Sequence, residues 1–290
     1  MDIQLDDKIS IGYTCCGNSY KKSLKNKLEN VYFDNDNIYY CIITDDKKYF
    51  EGINRKNLIV NELKDFYDEF PLLEKYEAFL ESDDEEDYNR KFLETEYRFP
   101  FSTFRFNLLQ AWKLGIKNAS MLCTDTYINF LHYNPEMFKE KNRLWNCVSE
   151  WDCNSNTWNM PLTIEVIEET LGLKVDDTVR ILDAAGRLYV AEDLDSLKRL
   201  FDAMNTVVER MYEKDYMKYF YGPYARNDEY IMGPIYNALG ITQNRDHTWT
   251  NFFNNYSGIL TERYFKICQD GSIKDHVNYE EFLRINEGLI

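Results

Sequence analysis

The carboxylates that could do chemistry in this chain stand at the ends of short apolar runs. Asp45 and Asp46 close the run Ile38 to Thr44 (IYYCIIT). Asp125 follows Ala119 to Cys123 within the segment RFNLLQAWKLGIKNASMLCTDTYIN, residues 105–129. Open α/β sheets bind ligands at the C-terminal ends of their strands, so a buried strand that delivers a carboxylate there is a candidate site. A hard cation such as Mg²⁺ or Mn²⁺ needs only one or two carboxylates when phosphate oxygens complete its shell. Such a cation absorbs the charge that develops on a diphosphate leaving group as the bond breaks. One strand-end aspartate is therefore sufficient for metal-assisted transfer from a diphosphate. The competing reading is an aspartate that caps the next helix, or for Asp45 and Asp46 an ordinary turn.

Other chemistries are excluded by what is missing. The chain has no GxxxxGK[ST] loop, no GxGxxG after its first apolar run, no GxSxG elbow and no HExxH. Its histidines are only 132, 247 and 276, too few for a multi-histidine metal centre. The acidic runs DNDN (34–37) and ESDDEED (81–87) lack the spacing of a calcium loop and read as solvated segments. Seven cysteines (15, 16, 41, 123, 147, 153, 268) form no CxxC pair, and several lie in apolar runs. That pattern predicts reduced, buried thiols in a cytoplasmic protein.

The elements that must position these groups follow from periodicity. Lys8 to Thr14 alternates and predicts a first strand. Ser19 caps a lysine-rich helix, YKKSLKNKLEN, which leads to a second strand at Ile38 to Thr44. Asn57 to Leu80 reads as a helix interrupted near Pro71. Arg105 to Leu114 reads as an amphipathic helix, Gly115 as a tight turn and Ala119 to Cys123 as a buried strand. Trp145 to Trp158 lacks a period and reads as an irregular connection. Farther on, Thr163 caps a helix that Gly172 ends, and Val179 to Ala184 pairs as a hairpin with Leu188 to Val190 through Gly186-Arg187. Asp193 to Met217 and Asp228 to Leu239 are helical, the latter kinked at Gly233-Pro234, and a last helix spans Tyr279 to Ile285. The order predicts an α/β fold: a mostly parallel sheet flanked by helices, with a C-terminal region added to it.

With 290 residues and 44% hydrophobic residues, the chain can bury a substantial core as one large domain or two small ones. Its 34 basic against 50 acidic residues give a net charge of −16, which disfavours broad nucleic-acid binding. No apolar window reaches membrane-spanning length, and the acidic start MDIQLDDK is no signal peptide. The abundance of tyrosine and phenylalanine reads either as ligand stacking and adhesive interfaces or as a compositional bias that also raises Asn, Lys and Ile, the latter being favoured.

The succession strand, lysine-rich helix, strand ending in aspartate, then helix, turn and strand ending in aspartate resembles the GT-A glycosyltransferases. The resemblance is sharp over residues 105–129, on Arg105, Leu109, Ala111, Gly115, Asn118, Leu122 and Asp125, and coarser over 8–130. It implies a nucleotide-sugar-binding half at 1–145 and an acceptor-binding, catalytic-base half at 146–290 of the same unit. It also implies a Mn²⁺ or Mg²⁺ cofactor and a nucleoside-diphosphate sugar as donor, a UDP-sugar being favoured. By this resemblance Gly12, Tyr13, Thr14 and Asp45 contact the base and ribose. Arg105 faces the nucleotide or its phosphates, and Asp125 holds the metal. Asp228 or Glu229 acts as the base of an inverting transfer, the competing reading being ordinary acids favoured by the helix dipole. His247 adds a late metal ligand as in some retaining members, the competing reading being a structural histidine. Asp183 is a candidate acceptor contact, and Tyr219, Tyr221 and Trp249 are candidate sugar-stacking platforms, the alternative reading of these aromatics as core or rim residues being favoured. The family's acidic motif has two acids one residue apart, whereas here Asp125 stands alone. Either Tyr127 replaces the second acid or Cys123 replaces the first, the latter being favoured because the second acid binds the metal.

Three readings of function follow. The first is a transferase moving a sugar to an acceptor hydroxyl on a glycan or protein. The second is a phage-type enzyme acting on a hydroxymethylated DNA base, which the aromatic and basic run 97–106 favours and the net charge opposes. The third is a non-catalytic nucleotide-binding or interaction protein that keeps the fold without the chemistry.

Overall fold

Alternation in ISIGYTC builds the first strand, β1 (Ile9–Cys15), which buries Ile9, Ile11, Tyr13 and Cys15 on one face and Ser10 and Gly12 on the other. The computed structural model describes residues 5, 7–15, 18–30, 32, 34–71, 105–122, 135–146, 152–153, 160–176, 181–182, 186–216 and 227–243. Helix α1 (Asn18–Asn30) begins one residue before the expected cap Ser19, and it sets Leu24 and Leu28 four apart against the sheet. Strand β2 (Ile38–Thr44) has the expected bounds and runs parallel to β1.

The first departure from expectation follows. Residues 58–62 form β3 (Leu58–Glu62), parallel to β2, and a 3-10 turn at Leu63–Phe66 succeeds it. The segment LIVNELKDFYDEF satisfies helical spacing, but it opens with Leu-Ile-Val, and β2 offers an unpaired edge to it. All five β3 residues are half-buried, which is why no strand alternation shows in the sequence. Residues 72–80 of the expected helix lie outside the described residues.

Helix α2 (Phe106–Lys113), the turn at Gly115 (φ 70°) and β4 (Asn118–Leu122) realise the helix, turn and strand read from 105–129. Two short strands, β5 (Arg143–Asn146) and β6 (Asp152–Cys153), lie in or beside the stretch expected to be irregular, the rest of which is outside the described residues from 147 to 151 and from 154 to 158. Helix α3 (Met160–Leu171) ends at Gly172, whose φ is 64°. Thr163 lies inside it and is fully buried, and so is not its cap. Among the described residues the expected hairpin does not form: β7 (Ile181–Leu182) pairs with β6, whereas β8 (Gly186–Val190) inserts antiparallel between β4 and β5. Long-range pairing of this kind leaves no mark on local sequence. Asp193 caps α4 (Leu194–Glu213) by accepting from the Ser196 amide at 2.7 Å. Helix α5 (Asn227–Ala238) runs through Pro234 and leads into β9 (Thr242–Gln243). The expected helix at 279–285 lies outside the described residues.

The result is an α/β fold with a seven-stranded sheet in the order β3-β2-β1-β4-β8-β5-β9, in which β8 alone is antiparallel. The sheet is covered on one face by α2, α3, α4 and α5, with Phe106, Leu109, Met121, Val166, Leu200 and Ile235 in the core. On the other face α1 and the 3-10 turns at Lys47–Phe50 and Pro135–Phe138 enclose Ile11, Tyr13, Leu24, Tyr32 and Trp145. The expected division at 145/146 falls inside β5, and strands from both sides of it hydrogen-bond in one sheet. Among the described residues no helix is long and apolar enough to cross a membrane.

Candidate functional site

The strand order reverses at β1. The chain lays β2 and then β3 to one side of β1, then crosses back and places β4 on the other. All four strands are parallel, so their carboxyl ends share one edge, and β1 is the point along it at which the strand order reverses, the place where open α/β sheets bind ligands. Register sets the groups at this edge: Tyr13 lies opposite Leu122, and Cys15 lies opposite Thr44. Helix α2 precedes β4 through a tight turn, so it runs back over the sheet and points its positive end toward the same edge.

Helix α2 sits unusually close to β1. A Cβ on Gly12 would lie 2.5 Å from Asn107 Cβ, 2.6 Å from its Cγ and 2.6 Å from the Ser120 carbonyl oxygen. Glycine at position 12 thus serves a close approach of helix to strand. It also brings the Asn107 carboxamide down onto β1. Nδ2 of Asn107 faces the half-buried Thr14 hydroxyl at 3.5 Å, while its fully buried Oδ1 has no hydrogen-bond partner among the described residues. Gln110, one turn on, donates from Nε2 to the Ile42 carbonyl at 3.4 Å.

At the end of β2, Asp45 pairs with Lys21 of α1 at 3.1 Å, with side chains only 12% and 6% exposed. The Thr44 hydroxyl donates to the Asp45 carboxylate at 3.2 Å, and the Tyr49 ring lies 5.6 Å from the Lys21 ammonium. Asp46 acts locally, its carboxylate accepting from the Lys48 amide at 3.0 Å and capping the following 3-10 turn. Asp45 and Thr14 are therefore at the expected edge, and Asp46 is the turn residue of the two alternatives.

Two expected nucleotide contacts have their side chains in the core. Tyr13 points to the α1 face, where its hydroxyl meets that of Tyr32 and its ring lies beneath the Lys27 ammonium. Arg105 is fully buried beside α4. Its guanidinium carbon lies 4.4 Å and 4.5 Å from the Phe70 and Phe106 ring centres, and Nε donates to Asn205 Oδ1 at 3.0 Å. Burial pulls Arg105 down to about 9, against the opposing pull of Tyr212 and Glu209, and it remains a cation at neutral pH. Asn205 in turn donates to the Glu69 carbonyl at 3.1 Å, so Arg105 ties the start of α2 to α4 and to the segment after β3.

Comparison with known proteins finds no family whose model matches the chain and no curated protein that matches it. The functional reading therefore rests on the geometry of this edge.

Asp125, third after Leu122 in sequence, lies outside the described residues, as do His247, Asp183, Tyr219, Tyr221 and Trp249. Asp228 and Glu229 occupy the first turn of α5. That helix is followed after a short connection by β9, which is parallel to β5, so its first turn lies toward the carboxyl edge of the sheet. Among the described residues no three potential metal ligands come together. A hollow of about 620 Å³ lies at the opposite edge, lined by Lys117, Asn118, Asp193 and Asp195 among others.

Asn107 and Lys21 were not singled out in the sequence. The signal for Asn107 was present: Asn107 and Gln110 stand three apart on the helix face that also carries Ala111, an uncommon polar pair on a sheet-facing side. Lys21 is one of several lysines in α1, and only the fold distinguishes it from Lys22, which is exposed.

Proposed function

We propose that this chain is a nucleotide-sugar-dependent glycosyltransferase that seats its donor at the carboxyl edge of β1, β2 and β4. One observation carries the reading: the strand order reverses at β1, and β4 leads three residues later to Asp125. The GT-A-like order of elements over 8–130 supports it. So does the polar set Thr14, Asp45 and Asn107 at the edge, which offers hydrogen bonds to a sugar-nucleoside and not a hydrophobic slot. In this reading Asp125 binds a Mg²⁺ or Mn²⁺ ion together with the donor diphosphate, and the ion supplies charge neutralisation for the leaving group. Asp228 or Glu229 takes the proton of the acceptor hydroxyl. The first half of the chain holds the donor, the second half the acceptor, and a UDP-sugar is the favoured donor.

A second reading, a nucleotide-binding protein without transferase activity, is favoured by specific observations. Asp45 is already neutralised by Lys21, and the Tyr13 and Arg105 side chains are committed to the core.

The deciding experiment measures thermal stability with UDP, CDP, GDP and ADP, with and without Mn²⁺, followed by hydrolysis and transfer from the matching sugar nucleotides. A ligand present at a hundred times its Kd adds about 2.7 kcal/mol to apparent stability, which such a screen resolves. The transferase reading expects metal-enhanced binding that Asp125→Ala removes. It also expects Asp228→Asn or Glu229→Gln to lose turnover while keeping donor binding. Binding without hydrolysis or transfer favours the second reading, and no binding across the panel sinks both.

A further inference from the structure

We propose that the Asn107 carboxamide reads the nucleoside of the bound donor, its Oδ1 accepting a hydrogen bond from an N–H or O–H group of that ligand. The inference rests on the proposed function and deepens it by assigning a specificity residue.

Asn107 presents an acceptor with nothing to accept. The residue is fully buried, and among the described residues its Oδ1 meets no donor, a state that folded chains avoid unless the group is reserved for something else. The position is built, not incidental. Gly12 lacks the Cβ that would collide with Asn107 at 2.5 Å, and the Gly12 amide is held by the Ser120 hydroxyl at 3.1 Å. Strand β1 is thus shaped to receive this one side chain. Thr14, two residues along β1 and half-buried, stands 3.5 Å from Nδ2 and connects the carboxamide to the carboxyl edge where the strand order reverses.

Other buried oxygens without partners lie elsewhere. Gln110 Oε1 is a turn farther from the edge, Asn118 Oδ1 is at the opposite end of the sheet, and Thr163 Oγ1 is within α3. Among the described residues, Asn107 alone combines an open acceptor with the switch point. The chemistry of the acceptor narrows the ligand group. A carbonyl oxygen has no proton to give and repels an anion, and at neutral pH a diphosphate carries no proton to donate there. The complementary group is therefore a base N–H or a sugar hydroxyl, and it lies on the nucleoside when a nucleoside diphosphate, which lacks the transferred sugar, already engages it.

The test compares the unsubstituted protein with Asn107→Leu, which keeps the branched shape and removes the polar atoms. Titration calorimetry with UDP, CDP, GDP and ADP identifies the nucleoside diphosphate that binds. For that one, the base N-methylated and the 2′- and 3′-deoxy analogues are then titrated into both proteins. Asn107→Leu is expected to melt no lower than the parent, since an oxygen without a partner is removed, and to bind roughly tenfold more weakly, the equivalent of one lost hydrogen bond. The gap between the two proteins is expected to close for one analogue only. Closure with the methylated base assigns the base N–H, and closure with a deoxy sugar assigns that hydroxyl.

Equal affinity in the two proteins overturns the assignment while leaving the glycosyltransferase reading intact. A gap that no analogue closes also overturns it. If the parent binds no nucleoside diphosphate, the glycosyltransferase reading fails first and this assignment with it. Should Asn107→Leu fail to fold, the side-chain amide proton signals of Asn107 in the unsubstituted protein decide. They shift on adding the nucleotide if Oδ1 is engaged, and stay in place if it is not.

Discussion

Replacing Gly12 by alanine probes the close seat of α2 on β1, on which the geometry of the carboxyl edge depends. The added methyl would lie 2.5 Å from Asn107 Cβ, whereas ordinary contact begins at 3.4 Å, so α2 and β1 must separate by 0.9 Å (3.4 − 2.5). Neither neighbour can rotate aside: one is the first carbon of a helical side chain, and the other, at 2.6 Å, is the Ser120 carbonyl of the paired strand. Overpacking of this kind costs roughly 1–3 kcal/mol, and the backbone contact argues for the upper end. At roughly 2–4 °C per kcal/mol for a chain of this class, the melting temperature falls by about 6–12 °C. The sign is the sharper part of the test. A glycine in a strand with open space above it is destabilising by about 0.5–1 kcal/mol relative to alanine, so Gly12→Ala would then stabilise. Circular dichroism melts of parent and variant distinguish the two. An unchanged or raised melting temperature refutes the packing of α2 on β1 and the positioning of Asn107 with it.

Other consequences are equally specific. Lys21→Met leaves Asp45 nearly buried without its cation and is expected to cost about 3 kcal/mol in urea denaturation, with Lys21→Met/Asp45→Asn recovering most of the loss. The Cys41 thiol, pushed up to about 12 by burial, stays protonated in the native state. It should resist a thiol reagent at pH 8 until the chain unfolds. Because its folded value lies above the ordinary 9.0, its contribution to stability is intact below pH 9 and lost as pH rises toward 12, which alkaline melts would show. Glu165 and Glu169 are held below the usual carboxylate value by hydrogen bonds from Lys214, assisted by Tyr216 and Arg210 respectively. Their contribution is present above pH 4.5 and lost as pH falls through the lowered folded values. Since the network is exposed, the loss measured by urea midpoints should shrink in high salt.

The first two strands and the helix, turn and strand from Arg105 onward were legible in the sequence because alternation, helical spacing and a glycine stop are local signals. Strand β3 was not, since its half-buried residues show no alternation and the run beyond it satisfies helical spacing. The insertion of β8 between β4 and β5 was equally hidden, because adjacency to β7 in the chain suggested a hairpin and only the sheet as a whole decides otherwise. At the candidate site, strand ends located Thr14 and Asp45 at the edge without revealing that Lys21 neutralises Asp45. Tyr13 illustrates the limit of element order as a guide: it lies near the end of the right strand, yet the two-residue period turns its ring away to the α1 face. Arg105 likewise begins the right helix, and the aromatic residues Phe70 and Phe106 draw its guanidinium into the core.

The claim that function resides where the strand order reverses is tested most directly by hydrogen exchange with UDP and Mn²⁺ bound and unbound. Ligand seated at that edge is expected to slow exchange at residues 12–15, 44–46 and 105–108, with the remainder of the sheet unaffected. Protection confined to 115–118 and 192–195, around the hollow at the opposite edge, would contradict it.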